Sequence, residues 1–187
     1  YYLNKMKIPH ILFINKVDKF NFDIKDILGL IQEYSPLPLV IRQIPIREGD
    51  KIIGSADVIH ERAYIYEKEK PSQIVKIPEE FSSIRNEIRE KVLETLADFD
   101  DAFMEKILED IPTSTEEIYQ NLKKDVASNK IVEVLTGSAE NETGIRRLLK
   151  TIRHDCPVHE KTVERNGFKI NKNSTNLQVF KTNFVPH

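Results

Sequence analysis

Apolar residues along this chain fall into two patterns: short continuous runs, and stripes at helical spacing. Residues 9–14 (PHILFI) form a run rich in β-formers, as expected of a buried parallel strand, and give way abruptly to Asn15-Lys16-Val17-Asp18-Lys19. Ile24, Ile27, Leu28 and Ile31 then recur at helical spacing, predicting a helix over 23–34 that Pro36 and Pro38 stop. Leu39-Val40-Ile41 starts another strand. From Gln43 the texture changes, and 44–46, 51–54 and 56–66 read as short strands with glycine-centred turns at Gly49-Asp50 and Gly54. Helices dominate next. Residues 79–96 carry Ile84, Ile88, Val92 and Leu96 in one row, and 101–111 carry Phe103, Ile107 and Ile111. A third helix starts at Thr113, which with Glu116 has capping-box spacing, and runs to about Val126. Residues 131–135 return to strand character and end in Thr136-Gly137-Ser138-Ala139. A closing helix from about Thr143 shows Ile145, Leu148, Leu149 and Ile152 before Pro157.

The outer pieces alternate strand and helix, whereas the middle is a strand-plus-helix block. The simplest organisation is an α/β domain formed by 1–42 and 130–157, interrupted by an inserted α+β subdomain at 43–129. Residues 158–176 are polar and read as a linker, and 177–187 read as the start of a second domain whose first strand is 177–182.

Composition narrows the function classes. The chain has 187 residues, a net charge of −2 and 40% hydrophobic residues, enough for a packed core. Near-neutral charge argues against a dedicated DNA-binding domain. No apolar run approaches the roughly 20 residues of a membrane span, so no membrane partner is expected. The single cysteine excludes an internal disulfide and, with no signal peptide in view, suits a cytoplasmic location. The chain opens at Tyr1-Tyr2-Leu3 without an initiator methionine, as expected of a piece of something longer. Charge is segregated: residues 79–125 hold 14 acidic and 6 basic side chains, whereas 141–187 hold 9 basic and 4 acidic.

Two loops carry the candidate chemistry. Asn15-Lys16-Val17-Asp18 follows an apolar strand, the position at which open α/β sheets bind ligands. Guanine presents N1–H and an exocyclic amino group side by side, and a carboxylate such as Asp18 accepts from both; adenine lacks that pair and would leave the carboxylate unpaired. The Asn15 amide suits the Hoogsteen edge and the tying of neighbouring loops, and the stem of Lys16 suits the face of the base. Thr136-Gly137-Ser138-Ala139 again follows a strand and precedes a helix. Asn-Lys-x-Asp and a Ser-Ala loop in this order resemble the guanine loops of GTP-binding proteins, and the resemblance implies that a backbone N–H here faces guanine O6 while the Ser138 hydroxyl braces Asp18. A polar turn and a helix cap are the plainer alternatives.

Together these loops resemble elongation factor G, the translational GTPase family, and most closely a divergent bacterial elongation-factor-G-like paralogue. The 123 positions between Asn15 and Ser138 suit the subdomain that the family inserts there. Residues 54–59 (GSADVI), 62–66 (RAYIY), 103–109 (FMEKILE) and 130–139 (KIVEVLTGSA) also resemble the family, as do Leu148-Leu149 and, at the start of a β-barrel domain, 179–182 (VFKT). The resemblance implies an α/β fold: the C-terminal half of a P-loop GTPase-type domain with its insert, a linker and the first strand of a barrel. It implies guanine binding by Asn15, Lys16, Asp18, Ser138 and Ala139, with the ribosome as partner and its stalk protein meeting the insert at 79–125.

The family's usual lysine two places after Ser-Ala is here Asn141, preceded by Glu140. No G-x-x-x-x-G-K-[ST] loop and no Asp-x-x-Gly magnesium loop occurs, so GTP, GDP and Mg²⁺ are expected only in a longer parent. This chain alone, with no catalytic or metal-ligating residue assigned, is expected to be inactive. Competing readings are an interaction domain with acidic helices, and a segment of a ribosomal-protection or peptide-release GTPase. His154, Cys156 and His159 lack zinc-site spacing, and Asp98, Asp100 and Asp101 lack that of a calcium loop.

Overall fold

The computed structural model describes residues 2–19, 23–49, 51–67, 70–157, 164–165 and 168–169. They fall into two units, residues 1–157 and residues 158–187. In the first, a short α1 (Tyr2–Lys5) precedes β1 (Ile11–Ile14), α2 (Ile24–Gln32) and β2 (Leu39–Ile41). Four strands follow, β3 (Gln43–Glu48), β4 (Lys51–Asp57), β5 (Ala63–Ile65) and β6 (Gln73–Val75), then α3 (Glu79–Ala97), α4 (Asp101–Leu108) and α5 (Thr115–Ala127). β7 (Val132–Thr136) and α6 (Ile145–His154) complete the unit. The chain is thus mixed α/β, with one parallel three-stranded sheet ordered β1-β7-β2 and one antiparallel sheet ordered β3-β4-β5-β6.

β7 is central and buried at every position, in keeping with its largely apolar character, whereas β1 is only half-buried throughout. The expectation that 9–14 forms a buried parallel strand is corrected to a half-buried parallel strand over 11–14, since among the described residues β1 has a sheet neighbour on one side only. Ile88, Val92 and Leu96 of α3, Phe103 of α4 and Ile118, Leu122 and Val126 of α5 pack into one core with Ile44 and Ile46 of β3 and Val134 of β7.

Local chemistry sets the boundaries. Asp23 caps α2, accepting from Lys25 N at 2.8 Å, and Asp100 caps α4, accepting from Phe103 N at 3.1 Å. α5 is capped by Ser114, which accepts from Glu117 N at 3.2 Å, so the expected Thr113–Glu116 box is displaced by one residue. α4 ends at Leu108, leaving Ile111 44% exposed rather than on the buried stripe. The strand expected over 56–66 is broken because the Asp57 carboxylate accepts from Ile59 N and His60 N, turning the chain out of the ladder. Gly54 is not a turn but a ladder residue paired with Ile46 and Ile65; a Cβ there would lie 2.4 Å from Tyr64 O. In the second unit, β8 (Glu164–Arg165) and β9 (Phe168–Lys169) pair antiparallel within the stretch expected to be linker. The strand expected at 177–182 lies outside the described residues.

Candidate functional site

β1 and β7 are parallel neighbours, and Ile14 is in register with Thr136. Their carboxyl ends therefore lie side by side, bringing together two loops that the sequence separates by more than a hundred residues. The Asn15 side chain joins them: its Oδ1 accepts from Ala139 N at 3.0 Å and from Lys16 N at 2.8 Å. Gly137 N donates to Ile14 O at 3.0 Å and Val17 N to Gly137 O at 3.2 Å. Ala139 N, in the loop expected to offer a backbone N–H to guanine O6, donates to Asn15, so in this arrangement Asn15 acts as a tie between the loops.

Lys16 has φ of 60° and is exposed, with its N–H turned onto Asn15. The Asp18 side chain is 12% exposed, and its Oδ2 lies 3.7 Å from Lys19 Nζ. A hydrogen bond from the Ser138 hydroxyl, foremost, then its own N–H and Lys19, holds the Asp18 carboxyl below the usual carboxylate range against the opposing effect of burial. Its Oδ1 is buried and meets no hydrogen-bond donor among the described residues. An ionised acceptor prepared in this way, with one oxygen unmatched, fits a ligand edge that carries donors.

The second loop is tightly folded. Ser138 is fully buried, and its N–H and C=O exchange hydrogen bonds with Thr143 at 2.9 and 3.0 Å. Gly137 is required here: a Cβ would lie 2.4 Å from Thr143 O and 2.8 Å from the Phe13 ring. Gly144, at φ of 75°, opens α6. A cleft of about 950 Å³ opens between the antiparallel sheet and residues 140–147, but Asn15, Lys16, Asp18, Ser138 and Ala139 do not line it. Of the five residues, Asn15, Lys16 and Ala139 are exposed, Asp18 is partly buried and Ser138 is fully buried.

A second polar constellation had no motif to announce it. Arg42, 1% exposed, pairs with Glu133 of β7, with Asp155 Oδ2 at 3.2 Å and with the Tyr119 hydroxyl at 2.5 Å; its guanidinium also lies 4.6 Å from the Tyr119 ring centre. Arg147 of α6 donates to Asp57 Oδ2 at 2.8 Å and to the Tyr119 hydroxyl at 3.3 Å. Burial would push Asp57 up, but His60 and Arg147 outweigh it and hold the carboxyl well below the usual range. Burial raises Glu133, against the pull of Arg42. One signal was available in the sequence: Glu133 is a lone charge inside an otherwise apolar strand run.

Comparison with known proteins follows this geometry. No protein-family profile matches the chain. It is 32% identical over 186 residues to an elongation factor G-like protein of Synechocystis sp., a match covering 99% of this chain and 28% of that protein. A crystal structure of a protein from Thermus thermophilus matches with a TM-score of 0.72 and 27% identity, over 82% of this chain and 23% of that one. The chain thus spans 28% of the length of the curated relative it matches, and it resembles elongation-factor-G-like proteins along nearly its whole length.

Proposed function

We propose that this elongation-factor-G-like chain supplies the guanine-reading part of a translational GTPase. The observation that carries the reading is the junction of the two loops: Asn15 bonded across to Ala139 at 3.0 Å, beside an Asp18 carboxylate with one buried oxygen unmatched. Asp18 accepts from the N1–H and amino group of guanine, Ser138 keeps that carboxylate ionised, Asn15 fixes the loops and Lys16 covers the base. GTP and GDP are the nucleotides, and hydrolysis belongs to a longer protein in which other sequence holds the phosphates and Mg²⁺. Phosphate contacts supply much of the affinity in such sites, so this chain alone binds GTP and GDP weakly.

Replacing Asp18 by Asn exchanges an acceptor for a donor, and xanthine presents an acceptor where guanine has its amino group. In a protein that joins this segment to a phosphate-binding half, Asp18→Asn shifts preference from guanine to xanthine nucleotides in competition assays. Unchanged guanine preference refutes the assignment of Asp18, and micromolar GTP affinity of the isolated chain in calorimetry refutes the weak binding stated for it.

In the same reading the stretch 43–129 is the inserted subdomain and its acidic helices face the ribosome. Residues 79–125 carry 14 acidic against 6 basic side chains, while the apolar stripes of α3 and α5 are consumed by the core. Such a surface steers a basic or polar partner at long range, and the stalk protein is the candidate. Binding is weak and fades with added salt, because charges are screened over about 8 Å at physiological ionic strength. An NMR titration that shows no shifts on α3–α5 removes this part of the proposal.

A further inference from the structure

Strand β3 reaches both loops of the candidate site from one side. Its alternation sends Ile44 and Ile46, each 2% exposed, into the core and leaves Gln43 and Arg47 on the opposite face. Gln43 Nε2 donates to Thr136 O at 2.6 Å and lies 3.4 Å from Thr136 Oγ1. Arg47 Nη2 donates to Val17 O at 2.7 Å. Thr136 leads into Gly137-Ser138-Ala139, and Val17 stands between Lys16 and Asp18. One strand therefore holds one backbone carbonyl of each loop. The pairing of β3 with β4 shifts register between Ile46 and Arg47, an irregularity of the kind that re-aims a side chain.

We propose that Gln43 and Arg47 form a two-point clamp that sets the position of the Asn15–Asp18 loop against the Ser138–Ala139 loop, making them positioning residues for base reading. The inference rests on the guanine-reading assignment. Two direct ties join the loops: the bond from Ala139 N to the Asn15 side chain is solvent-exposed, where water competes for both partners, and Val17 N donates to Gly137 O at 3.2 Å. The two contacts from β3 are shielded: Gln43 is 2% exposed and the Arg47 contact is partly buried. A buried hydrogen bond is stronger in its low-dielectric surroundings, so the clamp, acting beside the Val17–Gly137 backbone bond, outweighs the exposed Asn15 tie in setting the loop geometry. Val17 adjoins Asp18, and movement of its carbonyl carries the carboxylate with it. The antiparallel sheet is thereby joined mechanically to the base-reading loops, and a force applied to β3 is felt at Asp18.

The test uses the ¹⁵N-labelled 187-residue chain. In Arg47→Met, amide hydrogen exchange at Val17 and Ala139 quickens about tenfold, the effect of losing one charge-assisted hydrogen bond. Val134 in β7 and Leu122 in α5 keep their rates, Arg47→Lys restores part of the loop protection, and Gln43→Met loosens Ser138 and Ala139. Unchanged loop exchange in both Met variants overturns the clamp; so does faster exchange spread evenly through the sheet and helices, which marks a general structural role. Millimolar titrations with guanosine monophosphate and adenosine monophosphate separate the clamp from the reading beneath it. Asp18→Asn abolishes guanine preference, and Arg47→Met lowers it while leaving the adenosine shifts as they were. If the unsubstituted chain shows no guanine preference, or Asp18→Asn retains it, the guanine reading falls and exchange alone decides the clamp. If Asp18→Asn removes the preference and Arg47→Met alters neither preference nor exchange, the clamp falls and the reading stands.

Discussion

The two polar centres of this molecule solve opposite problems. The loops after β1 and β7 hold a mostly buried carboxylate, ionised and incompletely matched, between exposed neighbours on a frame of backbone hydrogen bonds and close-fitting glycines. The Arg42 centre buries its charges and surrounds them with Glu133, Asp155 and Tyr119, with Arg147 and Asp57 adjoining. Each leaves a carboxylate oxygen unmatched among the described residues, Asp18 Oδ1 in the first and Glu133 Oε2 in the second, but only the second faces it with a buried guanidinium. Arg42 and Arg147 join β2, β7, α5, α6 and the turn after β4, so they lock the parallel and antiparallel parts of the first unit together. A surface motif is thus compatible with function, whereas a buried charge cluster is compatible mainly with fixed geometry.

Breaking the buried centre has the largest effect. Arg42→Met leaves Glu133 without its paired cation and Asp155 with Lys123 alone at 3.9 Å, and lowers unfolding free energy by about 3–5 kcal/mol in urea titrations. Arg42→Met combined with Glu133→Leu recovers much of that loss, because the uncompensated charge is gone. A cost below about 1 kcal/mol for the single change removes the locking role.

Asp57→Asn is smaller and depends on pH. Asparagine keeps an acceptor for Ile59 N and His60 N but loses the charge opposite Arg147, so the variant is less stable by about 1–3 kcal/mol at neutral pH. The Asp57 carboxyl is depressed in the folded state; its contribution is complete above about pH 4 and is lost as pH falls below that. The gap between variant and parent therefore closes in acid. Glu133 and Asp125, raised by burial, act in the opposite sense, since the folded chain takes up their protons first. Urea midpoints measured from pH 3 to pH 7 check the sign, and a gap that stays constant over that range contradicts it.

Asp18→Asn completes the comparison with the smallest stability effect. Its thermal midpoint stays with that of the parent chain while base preference changes. A large loss of stability would place Asp18 among the structural charges.

The first centre was legible in the sequence because its residues are ordered by chemistry: Asn15, Lys16 and Asp18 follow one apolar run, and Ser138 and Ala139 follow another. Helical stripes such as Ile88-Val92-Leu96 were legible for the same reason, being periodic. β6 was not read, since Gln73-Ile74-Val75 is a short edge strand with Ile74 63% exposed and no alternation to signal it. Arg42 carried no signal, because hydropathy patterning counts a charge as exposed until a partner far along the chain is known. Arg42 and Glu133 are 91 residues apart. Arg47 gave no sign of reaching Val17, because side-chain reach depends on the register of β3 rather than on its composition.

The strand order β1-β7-β2 also bears on the chain's assembly in time. β1 and β2 share no ladder; each pairs with β7, which arrives some ninety residues after β2 in the sequence. β3 to β6, by contrast, pair with successive neighbours. As the polypeptide leaves the ribosome, the antiparallel meander can zip locally while two apolar segments wait, unpaired, for a partner not yet synthesised. Closing that long loop carries the higher contact order, and with it the slower and more aggregation-exposed step. The sheet that positions the candidate site therefore cannot form until β7 has been made, after every strand of the meander.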